Sequence, residues 1–454
     1  MVKGDAFEGL IARIVSLNDN MEGLLDRSAM SDLRSRQEKS NLLLLQLTQQ
    51  VGDLTDLAKA LSLTPEKIDR GPSLSRTSTL MNDRAEHTSL ADLAVFKLHV
   101  LELNAASTKP ASAAAAMLKG LEHLHADQGM EDPRHRVNGL VDGKQAWVEW
   151  RTLLEGDSAS VSSAVIESRL SDLATLLNND DVPSTFRTPH CLGYCKEEDE
   201  EDTRYGLVYQ FPSVHSGSAT DIASLQRLFT ERRMPSLSIR LSIATALIES
   251  LMYLHAVDWL HKGFNSNNIL FFHPKDKQLS NHSLENPTIS GFDFARPEDT
   301  DDTTVKSTST LTDDLYRHPN LLTMSSSRSS KTHDIYSLGV VLIEIALWAP
   351  IEKVLEQCFG KKVTRSKTPW IREGLLTYPY NGFENVTEAV AALAGDSYAA
   401  ATRRCIEGGP ALGLDRPSRG VPEKGGASGG GGGSGKLQEV FYEEVYRKIG
   451  AVEV

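Results

Sequence analysis

Cysteine is scarce, with four residues in a chain of 454. Four are too few for a disulfide framework, which points to a reducing compartment. Positive charge is also short, 48 Lys and Arg against 61 Asp and Glu, for a net charge of −13. That balance argues against nucleic acid or an anionic membrane as the main partner and leaves proteins as the expected partners. Long apolar runs are missing. The longest, Leu338 to Pro350, is broken by Glu344, so no membrane-spanning helix is expected. Met1 to Leu10 carries charges and no apolar stretch, unlike a signal peptide, and the expected location is the cytoplasm. What is present is ample for a large core. Hydrophobic residues make up 40% of the chain, and the length is that of two or three ordinary domains.

Residues 1–65 read as helical. Phe7, Leu10, Ile11, Ile14, Leu17 and Met21 recur at helical spacing, and a second stripe runs from Leu42 to Leu63. Residues 66–135 read as a linker and helical connector. The part up to residue 90 is rich in Ser, Thr, Pro and Asp, and the Ala/Ser run at 105–116 is either flexible or helical. From residue 136 the pattern changes. Strands are expected near 143–152, 189–195 and 204–211, with helices over 161–177, 237–256 and 334–348. The acidic run 196–202 reads as a solvated hairpin loop. Eight glycines fall between Gly425 and Gly435. They read as a flexible coil, whether a loop insertion or an engineered linker, before a last helix over 437–449. Strands first and helices after give an α+β class with two lobes.

The chemistry-bearing strings come in a fixed order. Leu260-His261-Lys262-Gly263 through Asn268-Ile269-Leu270 follows the 237–256 helix. Next come Ser290-Gly291-Phe292-Asp293-Phe294, Tyr316-Arg317-His318-Pro319, and Asp334-Ile335-Tyr336-Ser337-Leu338-Gly339. In order and spacing they resemble the protein-kinase signature set of catalytic loop, metal-binding segment, activation-segment end and central helix start. The resemblance implies a bilobal protein-kinase-like domain over residues 136–454, preceded by the helical segment.

Phosphoryl transfer needs an acidic group to orient the substrate hydroxyl and metal ions to neutralise the phosphates. Gly263 stands at the base position, Asn265 replaces the usual lysine, and Gly291 replaces the metal-binding aspartate. Asn268 keeps the identity of the second metal ligand. Asp293 lies two residues beyond the metal-binding position, several Å along the chain. Arg151, in Val148-Glu149-Trp150-Arg151, takes the place of the phosphate-holding lysine. Its planar guanidinium is not an equivalent substitute. Glu167 is a candidate ion-pair partner for Arg151, or a solvated surface acid. No glycine-rich phosphate loop precedes the strand. These substitutions predict a chain that is not an enzyme, with no intact catalytic residue, no metal and no cofactor. Any ATP or magnesium would rest on Arg151, Glu167, Asn268 and Asp293. His261, Phe292, Arg317 and Asp334 are expected to brace loops.

A narrower resemblance rests on Val148 to Arg151, Tyr205 to Pro212, Trp259 to Phe272, Ser290 to Arg296, Leu315 to Pro319, His333 to Ile345 and the tail from Leu437 to Ile449. Together these are similar to fungal kinase-like proteins that follow a HeLo (prion-inhibition and propagation) domain. Glycine at the base position belongs to that group's pattern, whereas Arg151 departs from its usual lysine. The resemblance implies that residues 1–65 are the end of a HeLo-type bundle. The apolar first helix of such bundles is absent from this chain, so a truncated start is expected and membrane association is not. It further implies a signalling scaffold in fungal heterokaryon incompatibility or regulated cell death. The alternatives are an active atypical Ser/Thr kinase and an ATP-binding sensor. His190, Cys191 and Cys195 read as strand residues with small buried thiols rather than as a zinc site.

Overall fold

A computed structural model describes residues 27–48, 50–62, 90–106, 136–153, 163–178, 182–198, 203–212, 220–275, 279–292, 296–297, 310–323, 329–414 and 431–452. The class is α+β. A four-stranded antiparallel sheet is built from β1 (Arg136–Val141), β2 (Lys144–Leu153), β3 (Cys191–Glu198) and β4 (Thr203–Gln210), in the order β1-β2-β4-β3. The β1–β2 connection is Asp142-Gly143, with φ of 49° and 75°. Two consecutive left-handed residues make the tight turn whose twist suits a hairpin, and Asp-Gly tolerates it. Alternation along β2 sends Trp147 into one core. There it meets Tyr209, Phe211 and Phe272 with ring centroids 5.0–5.4 Å apart. Val148 and Trp150 join a small cluster on the opposite face with Cys195 and Val208.

Two small antiparallel sheets follow among the described residues, one pairing Ile269–Pro274 with Thr220–Ser224 and Thr288–Ile289, the other pairing Trp259–Leu260 with Arg296–Pro297, and helices form most of the remainder. The central pair is Leu237–Ala256 and Lys331–Leu347, both apolar nearly all round and buried accordingly. Ser330 opens the second with a capping box to His333, and Trp348 closes it in a left-handed conformation. By length and composition the 237–256 helix could cross a membrane, which corrects the expectation that no helix would reach that threshold. Its interspersed Ser, Thr and single Glu hide it from a search for uninterrupted runs. Most of its surface is nevertheless covered by the rest of the chain, and Ser250 Oγ donates to the Phe186 carbonyl at 2.7 Å.

Among the described residues, three further helices precede the sheet: Arg27–Leu47, Val51–Ser62 and Leu90–Ala106. The Leu42–Leu63 stripe is therefore two helices interrupted after Leu47, and the connector contains a full helix at 90–106. The stripe from Phe7 to Met21, the linker up to residue 89 and the end of the Ala/Ser run lie outside the described residues. Lys196 to Glu198 belong to β3 rather than to a loop. The last helix starts at Gly431, inside the glycine tract, where a coil was expected. Helix growth from a docked turn adds a bond per residue, so the packed 437–441 end carries the helix back into the tract.

The 27–47 helix lies on the 237–256 helix and the C-terminal helix. Tyr442 Oη donates to the Ser35 carbonyl at 2.8 Å, and Tyr253 Oη donates to Glu38 at 2.7 Å. Lys39 lies 2.8 Å from Glu439 and 3.0 Å from Glu443, and the bond to Glu439 heads the causes that hold its ammonium pKa above the ordinary value. Deeper in, Asp258 sits between two buried ammonium groups. Lys97, from the 90–106 helix, is 2.7 Å from one carboxylate oxygen, and Lys331 is 2.5 Å from the other. Lys97 also donates to the Leu45 carbonyl at 2.5 Å. Burial alone would raise the Asp258 pKa. The two lysines outweigh it and hold the carboxyl below its ordinary range. Removing Asp258 takes the carboxylate from two buried cations, while removing Lys97 leaves the carboxylate paired with Lys331. Equilibrium urea unfolding is therefore expected to show a loss of about 3–5 kcal/mol for Asp258→Ala and a smaller loss for Lys97→Met.

Candidate functional site

The segment after the 237–256 helix is held by one carboxylate. Asp334, in the first turn of the 331–347 helix, accepts the His261 amide at 2.8 Å and the Lys262 amide at 2.9 Å, and His255 Nε2 lies 3.3 Å away. Burial pushes its pKa up, but these donors prevail and hold it below the ordinary carboxylate value. Lys262 takes φ 63°, which turns the chain sharply into Gly263. The His261 ring packs at a tilt against Phe292, ring centroids 4.5 Å apart, and stands near Phe264 at 5.4 Å. Complete burial pushes its pKa down to about 4, so the ring is neutral. Its Nδ1 accepts the Gly263 amide at 3.2 Å.

The residues at the catalytic positions are brought together, and they fill one another's space. Asn265 Oδ1 accepts the Asn268 amide at 3.1 Å, capping the 266–268 turn. The Asn265 and Asn268 amide groups both donate to the Gly263 carbonyl, at 3.2 and 2.8 Å. Ser290 N donates to the Asn268 carbonyl at 2.8 Å. A Cβ at Gly263 would lie 2.7 Å from the Gly291 carbonyl oxygen, and one at Gly291 would lie 2.0 Å from Asn268 Nδ2. Gly291 also has φ 81°. The two positions that would bear the acids of a phosphotransfer site are thus closed to any side chain in this geometry.

Two residues outside the motif reading join this centre. Glu149 on β2 accepts the Gly291 amide at 3.0 Å through Oε2. Its Oε1 accepts Arg136 Nη2 at 2.7 Å and Nε at 3.0 Å. Arg136 Nη2 also reaches Ser290 Oγ at 3.0 Å. The pair ties the sheet to the 290–291 segment. An acid flanked by the buried Val148 and Trp150 is the signal in the sequence that marks Glu149.

The other candidates fall elsewhere. Arg151 pairs through its backbone with Tyr205 of β4, and its side chain lies outside the described residues, as does Asp293. Glu167 accepts Lys196 Nζ at 2.9 Å and Tyr205 Oη at 3.0 Å, so it has partners on β3 and β4 rather than a purely solvated head. Arg317 lies 3.5 Å from Asp314. Cys191 and Cys195 point into different core clusters, because a bulge between Cys191 and Gly193 shifts the alternation. Burial pushes both thiols up to about 12.

Glu344, noted in the sequence only as a break in an apolar run, proves to be a buried hub. Its Oε1 accepts Tyr316 Oη and the Ile351 amide, each at 2.7 Å, and Ser266 Oγ is 2.8 Å from the same Tyr316 oxygen. Full burial pushes its pKa up to about 8.

Residues 197–411 match a family model described as a domain of unknown function, DUF7580. An Arabidopsis thaliana protein named "Probable serine/threonine-protein kinase PBL20" is 33% identical over 159 residues, 34% of this chain and 34% of that protein. The chain thus spans about a third of the length of that relative. The likeness supports a kinase-like relationship. It also overturns the expectation of a non-enzyme, since the relative is named a kinase and empty carboxylate positions alone do not establish inactivity.

Gly291→Ala should lower stability by about 1–3 kcal/mol in thermal or urea unfolding, since it combines a left-handed backbone with a clash on Asn268. Glu344 supplies a pH signature. Its folded pKa lies above its unfolded one, so its contribution to stability is full below pH about 4.5 and is lost as pH rises toward about 8. Glu344→Gln should flatten the pH dependence of unfolding in that window and gain on the wild type above it. Parallel curves for the two proteins would refute the assignment.

Proposed function

We propose that the chain is a bilobal, protein-kinase-like signalling scaffold in which the helical segment before the sheet is docked on the helical half. The observation that carries this is the buried contact of Lys97 and Lys331 with Asp258. It joins the 90–106 helix to the start of the loop that a kinase would use for catalysis. By the sequence resemblance, the segment is HeLo-type and the setting is fungal heterokaryon incompatibility or regulated cell death, with proteins as partners. In this reading the docked helices hold the scaffold in one state and their release is the signal.

The test is growth of a filamentous fungus expressing the full chain, wild type or Lys97→Glu, with hydrogen exchange of the purified proteins alongside. The expected result is faster exchange over 27–106 and a drop in colony viability of about tenfold or more for the variant. Unchanged growth despite demonstrated release would sink the proposal.

A second reading, an atypical Ser/Thr kinase, is favoured by the named relative and by the retained Asn268. It is tested by transfer of labelled phosphate from ATP to a generic protein substrate. Activity lost in both Asn268→Ala and Asp293→Ala would support it, and activity that survives both would refute it.

A further inference from the structure

Between Glu356 and Glu373 the chain carries Lys361, Lys362, Arg365, Lys367 and Arg372 and no acidic residue, in a protein of net charge −13. The segment is firmly placed. Val363, Thr368 and Ile371 are buried beneath it, Thr368 Oγ1 donates to the Arg365 carbonyl at 2.8 Å, and Lys367 lies over the Phe359 ring at 5.8 Å. Lys361, Lys362 and Arg365 face solvent. Among them stands Trp370, 53% exposed and the most exposed large hydrophobic side chain of the described residues. The Arg365 guanidinium, 3.9 Å from Asp314, borders the short 311–314 turn, just after the Thr- and Asp-rich stretch that begins at residue 300.

Arg372 turns inward and donates to the Glu407 carbonyl, which leaves Lys361, Lys362 and Arg365 as the solvent-facing cations of the segment that carries the exposed indole. Trp and Arg are the residues that binding hot spots favour where free surfaces favour Lys and Glu. We infer that this face docks an acidic polypeptide segment, its carboxylates on the lysine and arginine heads and an apolar side chain on Trp370. Charge complementarity selects the occupant. The cations are local, spanning about a dozen residues, and Glu356 and Glu373 close the patch at both ends. A polynucleotide or a bilayer would extend past the patch onto a surface with an acidic surplus, where like charge opposes contact. A short acidic peptide can lie along the solvent-facing cations without reaching that surplus, with Asp314 the one carboxylate beside Arg365 that it displaces. This proposal does not depend on whether the chain transfers phosphate or releases its N-terminal helices.

The test is fluorescence polarisation of a labelled peptide of glutamates interspersed with leucines, titrated with the full chain at low and physiological salt. Saturable binding that weakens with salt is expected. It should weaken about tenfold or more in the Lys362→Glu, Arg365→Glu double variant. Trp370→Ala should weaken it several-fold with its salt dependence intact, since only the apolar contact is removed. Lys144→Glu, at the distant β1–β2 turn, should bind as the wild type. Circular dichroism verifies that each variant is folded. Failure of the wild type to bind the peptide overturns the proposal, as does equal binding by the double variant. It is also overturned if duplex DNA or phosphatidylserine vesicles bind more tightly than the peptide through the same residues.

Discussion

The first turn of the 331–347 helix grips the segment from His255 to Lys262 with two side chains of opposite sign. Lys331 takes the Asp258 carboxylate, and three residues later Asp334 takes the His261 and Lys262 amides. Both groups are buried, so each interaction works at low effective dielectric and neither charge can be left alone without a large penalty. Everything around the candidate site follows from this grip. It sets the left-handed turn at Lys262, which places Gly263 against Gly291. It also offers Asp258 to Lys97, which fastens the 90–106 helix to the same point.

Two systems therefore meet at one short segment. On one side is the packed centre of Gly263, Asn268 and Gly291, tied to the sheet by Arg136 and Glu149. On the other is the docked helical segment. A disturbance of Asp258, or of the Lys97 that contacts it, acts five residues before Gly263, and the connecting backbone is fixed by hydrogen bonds rather than free to absorb the change. That proximity is the physical basis for reading the chain as a scaffold whose helical segment and kinase-like centre communicate. The kinase-like relationship itself rests on the motifs and on the Arabidopsis relative. The Lys361–Arg372 face stands apart, with its own local charge.

Much of the fold was legible before any coordinates. The helix at 163–177 announces itself by period, those at 237–256 and 331–347 by the length of their apolar sequence, and the strands around Trp147 and Tyr209 by alternation. The Asp142-Gly143 turn is equally legible, because Asp-Gly is the pair that tolerates two left-handed residues between strands. The 90–106 helix was hidden because it follows directly on a Ser-, Thr- and Pro-rich stretch and carries no motif of its own. The Gly431 helix start was hidden because local propensity opposes it and only docking supports it. At the site, motif order marked His261, Asn268, Phe292 and Asp334. Arg136 and Glu149 carried no motif, and Glu344 resembled a flaw in a hydrophobic run until its partners were seen.

The sequence by itself determined the residue identities at the catalytic positions, the acidic surplus, the order of the kinase-like strings and the stretch of basic residues around Trp370. Each is a property of neighbours along the chain. Only the tertiary structure decided that Gly263 and Gly291 close on each other and that Cys191 and Cys195 part company across a bulge. It also decided that Lys97 reaches Asp258 and that Trp370 stands in solvent among its cations. Those facts depend on contacts between residues tens to hundreds of positions apart, or on a one-residue shift of register. Periodicity, which reports only local geometry, has no access to either.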